Sequence, residues 1–338
     1  MYDICNTKKG VFILTSKELV AKTIKGENNS GITPVYGWVS GNMNTEISEQ
    51  FGSVANFEDH YKFDAAHLFG GPPMYDKSIL DKLKADENEL TPEMLLEVPF
   101  LSPDDMSHYK SVQDALEFYS KQRGRFCYIQ SNGILELNND FFGIEDHLCN
   151  IALYPEEIKE LYSKQAQWNA RVANNMIDLG VDMIHVSDDW GSQRGLLINP
   201  DVLKELIIPN HKPTADVAKK RGVFLSLHSD GCVVDALDSI VELGYDVVHP
   251  WQETANMPYS LYLDKYADKF AILGGLCVQS TLGFGDFKRL ESEIRRVFSL
   301  LSGKRFIWCT THFVQNHCSM KELTFAYDLI LKLSNKNN

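Results

Sequence analysis

The sequence predicts a (β/α)8 barrel, and three observations carry that prediction. Eight short segments rich in apolar, β-branched and aromatic residues recur along the chain. From residue 125 onward they are separated by stretches with helical periodicity, and strands that alternate with helices imply a parallel sheet covered on both faces. The third observation is length: 338 residues exceed the common domain size but fall in the range that barrels occupy as one core. The chain reads as a single unit, 1–338, with residues 1–30 as an N-terminal helical extension. Residues 331–338, which hold the Lys/Asn run KLSNKNN, read as a frayed tail.

The elements follow in order. TSKELVAKTIKG places Thr15 and Glu18 at capping-box spacing and stops at Gly26, which predicts a capped helix. ITPVYGWV (32–39) is the first strand candidate and FDAAHLFG (63–70) the second. Residues 77–122 are polar and punctuated by proline, which predicts helix in pieces, and RFCYIQSN (125–132) is the third strand. PEEIKELYSKQAQWNARVANNMIDLG opens with Pro155 and two glutamates and closes at Gly180, the marks of one long helix. DMIHVSDD (182–189), GVFLSLHS (222–229), YDVVHPWQ (245–252), FAILGGLC (270–277) and RFIWCTTH (305–312) complete the set.

Composition narrows the function classes. The 33 basic and 46 acidic residues leave a net charge of −13, which repels phosphate backbones, and no clustered Lys/Arg face interleaves with aromatics; nucleic acid is excluded as a partner. Nothing approaches the run of about 18 apolar residues that a membrane span needs. The N-terminus lacks a signal-peptide core, so the expected compartment is the cytoplasm. Seven cysteines, odd in number and scattered, argue against a disulfide framework and leave individual thiols as ligands or packing.

In a barrel of this type the carboxyl ends of the strands form the active-site mouth. Chemically capable residues gather there: Asp188 and Asp189, His228 and Asp230 in SLHSDGCVVD, His249, Cys277, and the stretch from Cys309 to Cys318. Trp38, Trp190 and Trp251 also lie near strand ends, where they either fill the core or wall a pocket that accepts a ring. A cysteine at such a position is often plain packing, and a histidine there can simply hydrogen-bond within the core.

The run from DMIHVSDDWGSQRG to VVHPWQETANM, followed by AILGGLCVQSTLGFG, resembles the uroporphyrinogen decarboxylase superfamily of (β/α)8 barrels, from about residue 126 to 330. That resemblance implies one of two chemistries. One branch decarboxylates porphyrinogen acetate arms without a cofactor and carries an Arg-Gln-Ala-Gly-Arg-Tyr segment near its N-terminus. Here the first arginine is Arg123, and ITPVYGWVSGNMNTEI stands where the segment belongs, so the carboxylate receptors are missing. The other branch comprises zinc-dependent methyltransferases that pass a methyl group to cobalamin.

For that branch the resemblance implies a His-x-Cys pair after the fifth strand and a distant Cys after the eighth. This chain reads His228-Ser229-Asp230, with His312 near the distant position. A second ligand set is His249, Cys277 and Cys318, separated by 28 and 41 positions, similar to an Asp-Cys-Cys zinc spacing of aryl methyl ether demethylating members. Two thiolates and an imidazole would leave a fourth position for a substrate oxygen. The expected assignment is therefore zinc on His249, Cys277 and Cys318, with His228, Asp230 and His312 as the other possible ligands. Asp188, Asp189, Asp230 and His228 are the expected catalytic groups, and Trp38, Trp190, Trp251 and His312 the pocket walls.

Corrinoid domains carry an Asp-x-His-x-x-Gly loop. Asp64-Ala-Ala-His67-Leu-Phe-Gly70 has one residue too many between Asp and His, so cobalamin is expected on a separate corrinoid protein. The expected reaction is methyl transfer from a small methylated donor, an aryl methyl ether, to that partner's cobalt. A decarboxylase-like lyase and a non-catalytic binding barrel are the alternatives.

Overall fold

A computed structural model describes residues 14–86 and 90–336. Cys5 and the first residues of the N-terminal extension lie outside that range. The first helix, α1 (Ser16–Lys25), forms as its sequence requires: Thr15 accepts from the Glu18 amide, Glu18 reaches back to the Thr15 amide, and Gly26 ends the helix in the left-handed conformation. The long helix runs Pro155–Leu179 with Pro155 in its first turn and Gly180 at φ 102°.

Seven strands make one parallel sheet in chain order: β1 (Ala65–Leu68), β2 (Phe126–Asn132), β3 (Met183–Ser187), β4 (Phe224–His228), β5 (Val247–His249), β6 (Ala271–Leu276) and β7 (Phe306–Thr310). Each lies inside a segment expected to be a strand. The eighth, 32–39, does not form a strand. It contributes a single parallel bridge, Val35 to Trp308. Trp308 N donates to the Pro34 carbonyl at 3.0 Å, Tyr36 N donates to Trp308 O at 2.9 Å, and Asp64 N donates to Val35 O at 2.8 Å, so the segment touches β7 and the chain just before β1. Three local features keep it from growing. Pro34 has no N–H to give, and the Val35 N–H goes to the Asp64 carboxylate at 2.8 Å rather than to a backbone carbonyl. Gly37 lies so close to Tyr327 that a Cβ would stand 1.5 Å from its hydroxyl.

Between β1 and β2 the chain is helical in pieces, at Lys77–Asp86, Pro92–Glu97 and Lys110–Ala115, as its proline-broken polarity predicts. Within the expected tail, the described residues 331–336 are held to the fold. The last helix holds to Leu333, and the buried Lys336 ammonium pairs with Asp64 and donates to the Lys62 carbonyl at 2.7 Å. One hydrophobic core runs through the curled sheet and the helices around it. Among the described residues no helix is long and apolar enough to cross a membrane.

Candidate active site at the carboxyl ends of the strands

Side chains alternate across a strand, and that alternation divides the strand-end residues. At the end of β3, Asp188 points away from the mouth. Fully buried, it accepts from the Glu136 amide, the Trp190 indole N–H and His211 Nε2, each at 2.7 Å, and His211 Nδ1 contacts the Tyr245 hydroxyl at 2.7 Å. Burial pushes the Asp188 carboxyl up, but the hydrogen bond and charge of His211 outweigh it and hold it below the usual carboxylate range. Expected as a catalytic group, Asp188 is instead placed among these framework partners and does not border the mouth cavity.

Asp189, one residue on, faces the mouth. Its Oδ1 accepts from the Asp230 amide at 2.7 Å and stands 3.7 Å from His228 Nε2. The period of two in S-L-H-S-D puts His228 and Asp230 on the same inward side, while Ser229 turns outward and accepts from the Trp190 amide at 2.8 Å. Asp189, His228 and Asp230 each offer a ligand atom within 4.8 Å of the others. His312 stands beside them, its Nε2 3.8 Å from Asp230 Oδ2. Two ligands of one tetrahedral ion keep about 3.3 Å between them at ordinary zinc bond lengths, and the 3.7 Å between Asp189 and His228 is close to that spacing.

The hydrogen bonds behind His228 decide which face it presents. His249 Nε2 lies 3.1 Å from the Thr310 carbonyl, which can only accept, so this nitrogen carries the proton. His249 Nδ1 is then an acceptor, and His228 Nδ1, 2.8 Å away, must donate to it. That leaves a lone pair on His228 Nε2, aimed at the mouth. Both rings are neutral: burial pushes His228 down to about 3 and, with the His228 ring beside it, holds His249 well below the usual range. A lone pair facing two carboxylates is a donor set suited to a cation. Burial, with the Asp189 charge second, raises the Asp230 carboxyl to about 7, and burial also raises Asp189.

The expected zinc set of His249, Cys277 and Cys318 does not assemble. Both His249 nitrogens are engaged in the relay, inside the curled sheet. The Cys277 thiol accepts from Ser280 at 3.2 Å beside a recess of about 40 Å3 bordered by Trp251 and Thr311. Cys318 turns its thiol to the Ser319 carbonyl, 3.6 Å away. Among the described residues neither cysteine joins His249 in a group of ligand atoms. Residue spacing reports that strand ends are neighbours, but not which side of each strand a thiol faces.

Of the expected walls, Trp190 and Trp251 are buried away from the mouth, the second against Tyr262 and Phe270. Trp38 does reach it, stacked on His312 with ring centroids 5.5 Å apart. Asp64 and His67, the near-match to a corrinoid loop, are structural: Asp64 ties α1 and the tail together, and His67 Nε2 contacts Gln130 at 2.8 Å. A second histidine group, His185 with His228 and His249, also has ligand atoms within 4.8 Å of one another. It is wholly buried, and the 2.8 Å contact between two of its members is a hydrogen bond and not a gap for an ion.

Behind the cluster lie two further polar residues that the sequence did not single out. Gln252 accepts from the Gly231 amide at 2.6 Å and donates to Asp230 at 3.2 Å, orienting that carboxylate. Glu136, bonded to the Ser187 hydroxyl at 2.8 Å, is raised to about 7 by burial and by Asp189. Gln252 ends the strand segment YDVVHPWQ and was legible as a strand-end polar group; Glu136 lies on a helix and had no such signal. The cluster opens into a cavity of about 650 Å3 bordered by Asp230 and His312.

A profile of the family described as Uroporphyrinogen decarboxylase (URO-D) matches residues 143–331, more than half of the chain. The chain belongs to the uroporphyrinogen decarboxylase family. The matched region of this URO-D member contains Asp189, His228, Asp230 and His312. In fold it is similar to a methyltransferase from Methanosarcina mazei, with a TM-score of 0.73 over 95% of this chain and 99% of that one at 13% identity. A B12-independent methionine synthase from Shewanella sp. W3-18-1 is more distant, with a TM-score of 0.43 at 12% identity over 66% of this chain and 65% of that one. A sugar phosphate isomerase/epimerase from Parabacteroides distasonis gives 0.44 at 8% identity over 91% and 98%. Those two scores are too low to bear on chemistry. No curated protein matches the chain in sequence. The arginines that a decarboxylase of this URO-D family would direct at carboxylates are absent from the cavity lining among the described residues; Arg125 is at the opposite end, before β2, paired with Glu58 and Asp59.

Proposed function

We propose that the chain is a methyltransferase that holds a divalent ion, zinc in the first instance, on Asp189, His228 and Asp230, with His312 beside it, and moves a methyl group from an O-methyl donor to the cobalt of a separate corrinoid protein. The observation that carries this reading is the mouth cluster of acceptors backed by the His249 relay. When bound, the ion supplies Lewis acidity that stabilises negative charge on the departing ether oxygen.

The chain's own residues do the rest. Carboxylates and imidazoles in place of thiolates make a hard site, which favours an oxygen donor over a thiol. An aryl methyl ether belongs to that class. Gln252 fixes Asp230, the Asp230 amide fixes Asp189, and Thr310 through His249 fixes the tautomer of His228. The oxygen left behind needs a proton, and Glu136, close enough to feel the Asp189 charge, can hold one at Oε1 while Oε2 accepts from Ser187. Trp38 shields one side of His312 from water. The open mouth leaves room for the partner's cobalt.

The experiment is metal analysis with anomalous scattering on the purified chain, then incubation with reduced corrinoid protein and a methyl ether while the cobalt(I) spectrum is followed. One zinc per chain at the mouth, lost in a D189N/D230N double variant together with methylation of cobalt, is the expected result. Zinc retained in that variant would overturn the ligand assignment. Porphyrinogen turnover without metal would restore the decarboxylase, and neither metal nor turnover would leave a binding barrel.

A further inference from the structure

The composition of the mouth cavity says more than methyl transfer requires. Four glutamines border it, Gln193, Gln252, Gln279 and Gln315, while its aliphatic and phenyl wall is only Val278 and Phe284. Gln252 is committed to Gly231 and Asp230. The other three keep capacity for a guest. Gln279 spends its oxygen on the Thr254 hydroxyl at 2.8 Å and keeps its amide N–H groups; Gln315 donates to the Phe313 carbonyl at 3.0 Å and keeps its oxygen. The Gln193 side chain bonds no other group among the described residues, so both ends are available.

Carboxamides that offer donors and acceptors side by side match hydroxyl groups, which do both. Charge narrows the guest further. No lysine or arginine borders the cavity among the described residues, and with the divalent ion of the proposed function balancing Asp189 and Asp230 the wall carries no net charge, so a carboxylate or phosphate finds no unpaired cationic side chain there. A methylated ammonium is no better placed. The divalent ion of the proposed function takes up the charge of Asp189 and Asp230, and Trp38 spends a face on His312 rather than on the cavity, so Phe284 is left as the one phenyl face in the lining, too little for a cation cage. The volume of about 650 Å3 suits a substituted six-membered ring.

Resting on the methyltransferase reading, we propose that the donor is a neutral, multiply hydroxylated O-methyl compound, a methoxylated polyol or polyphenol, held through Gln193, Gln279 and Gln315. The step balances. The bond between methyl carbon and ether oxygen breaks with both electrons staying on oxygen, which takes a proton to become one more hydroxyl. The methyl carbon takes its new electron pair from the cobalt(I) of the reduced corrinoid, which is oxidised to methylcobalt(III).

The test is calorimetric binding to the zinc-loaded full chain, with no corrinoid present, of an O-methyl inositol, a methoxycatechol, a methoxybenzoate, anisole and tetramethylammonium. At least one of the two hydroxylated neutral probes should bind about tenfold tighter than each of the other three. The Gln193→Leu/Gln279→Leu double variant should lose that preference while keeping its zinc. The inference is overturned if methoxybenzoate, anisole or tetramethylammonium binds as tightly, if neither hydroxylated probe binds, or if the double variant binds as the parent does. The two readings fail separately: selective binding with no methylation of cobalt sinks the methyltransferase and spares the hydroxyl-reading pocket, whereas methylation from anisole without preference does the reverse.

Discussion

His249 is the residue on which the relay argument can be broken most cleanly. Replacing it with Phe keeps a ring against His228, whose centroid is 5.0 Å away at an interplanar angle of 29°, but removes both nitrogens. Two hydrogen bonds go, of 2.8 and 3.1 Å, and both His228 Nδ1 and the Thr310 carbonyl lose a partner in a buried setting. Leaving a buried polar group unpaired costs about 1–3 kcal/mol. Freed of its acceptor, His228 can shift its proton to Nε2 and withdraw the lone pair from the mouth. Loss of such an outer partner weakens metal binding about 10–100-fold, equivalent to about 1.4–2.8 kcal/mol. The assay is competition for zinc against a chelator of known affinity, with thermal melts alongside. The control is His249→Gln, which can accept from His228 and donate to Thr310, and so should recover most of the zinc affinity. Unchanged affinity in His249→Phe, or a loss in His249→Gln as large as that in Phe, would refute the relay.

Three further outcomes follow from the same geometry. Cys277→Ser/Cys318→Ser should retain full zinc content, because neither thiol faces the mouth; loss of the ion would reinstate the cysteine site. Asp188→Asn should lower the melting temperature sharply, on the order of 3–5 kcal/mol for breaking a buried pair with His211, yet leave zinc per folded chain unchanged by metal analysis. In chelated protein the Glu136 carboxyl sits near 7 against an ordinary value of 4.5, so the folded state binds more protons than the unfolded one between those values. Stability should therefore fall as pH rises from about 4.5 to 7, and Glu136→Gln should flatten that slope by on the order of 1–3 kcal/mol in denaturant titrations; a Gln variant with the parent's pH profile would show that Glu136 is not the titrating group.

The sequence by itself determined the rhythm of the fold. Seven of the eight expected strands, the capping box at Thr15 and the Pro155-to-Gly180 helix depend on local patterns of apolar period, cap and breaker, and these survive in the folded chain. It also determined that Asp189, His228, Asp230 and His312 would stand at strand ends, because a parallel sheet of this kind collects carboxyl ends on one side. What it did not contain was the side to which each of those residues turns. Asp188 and Asp189 are adjacent in the chain, yet one is locked to His211 behind the sheet and the other faces the mouth. Cys277 and Cys318 had a suggestive spacing, but spacing along the chain does not fix the direction of a thiol in a loop. The eighth strand failed for a comparable reason: its hydrogen bonds went to the Asp64 side chain and its room to Tyr327, both distant partners. Only the tertiary structure places the Thr310 carbonyl behind His249 and His249 behind His228, and so sets the proton on one nitrogen and the lone pair on another. A tautomer is chosen by what the opposite nitrogen meets, and here that partner is 61 residues away in sequence and 3.1 Å away in space.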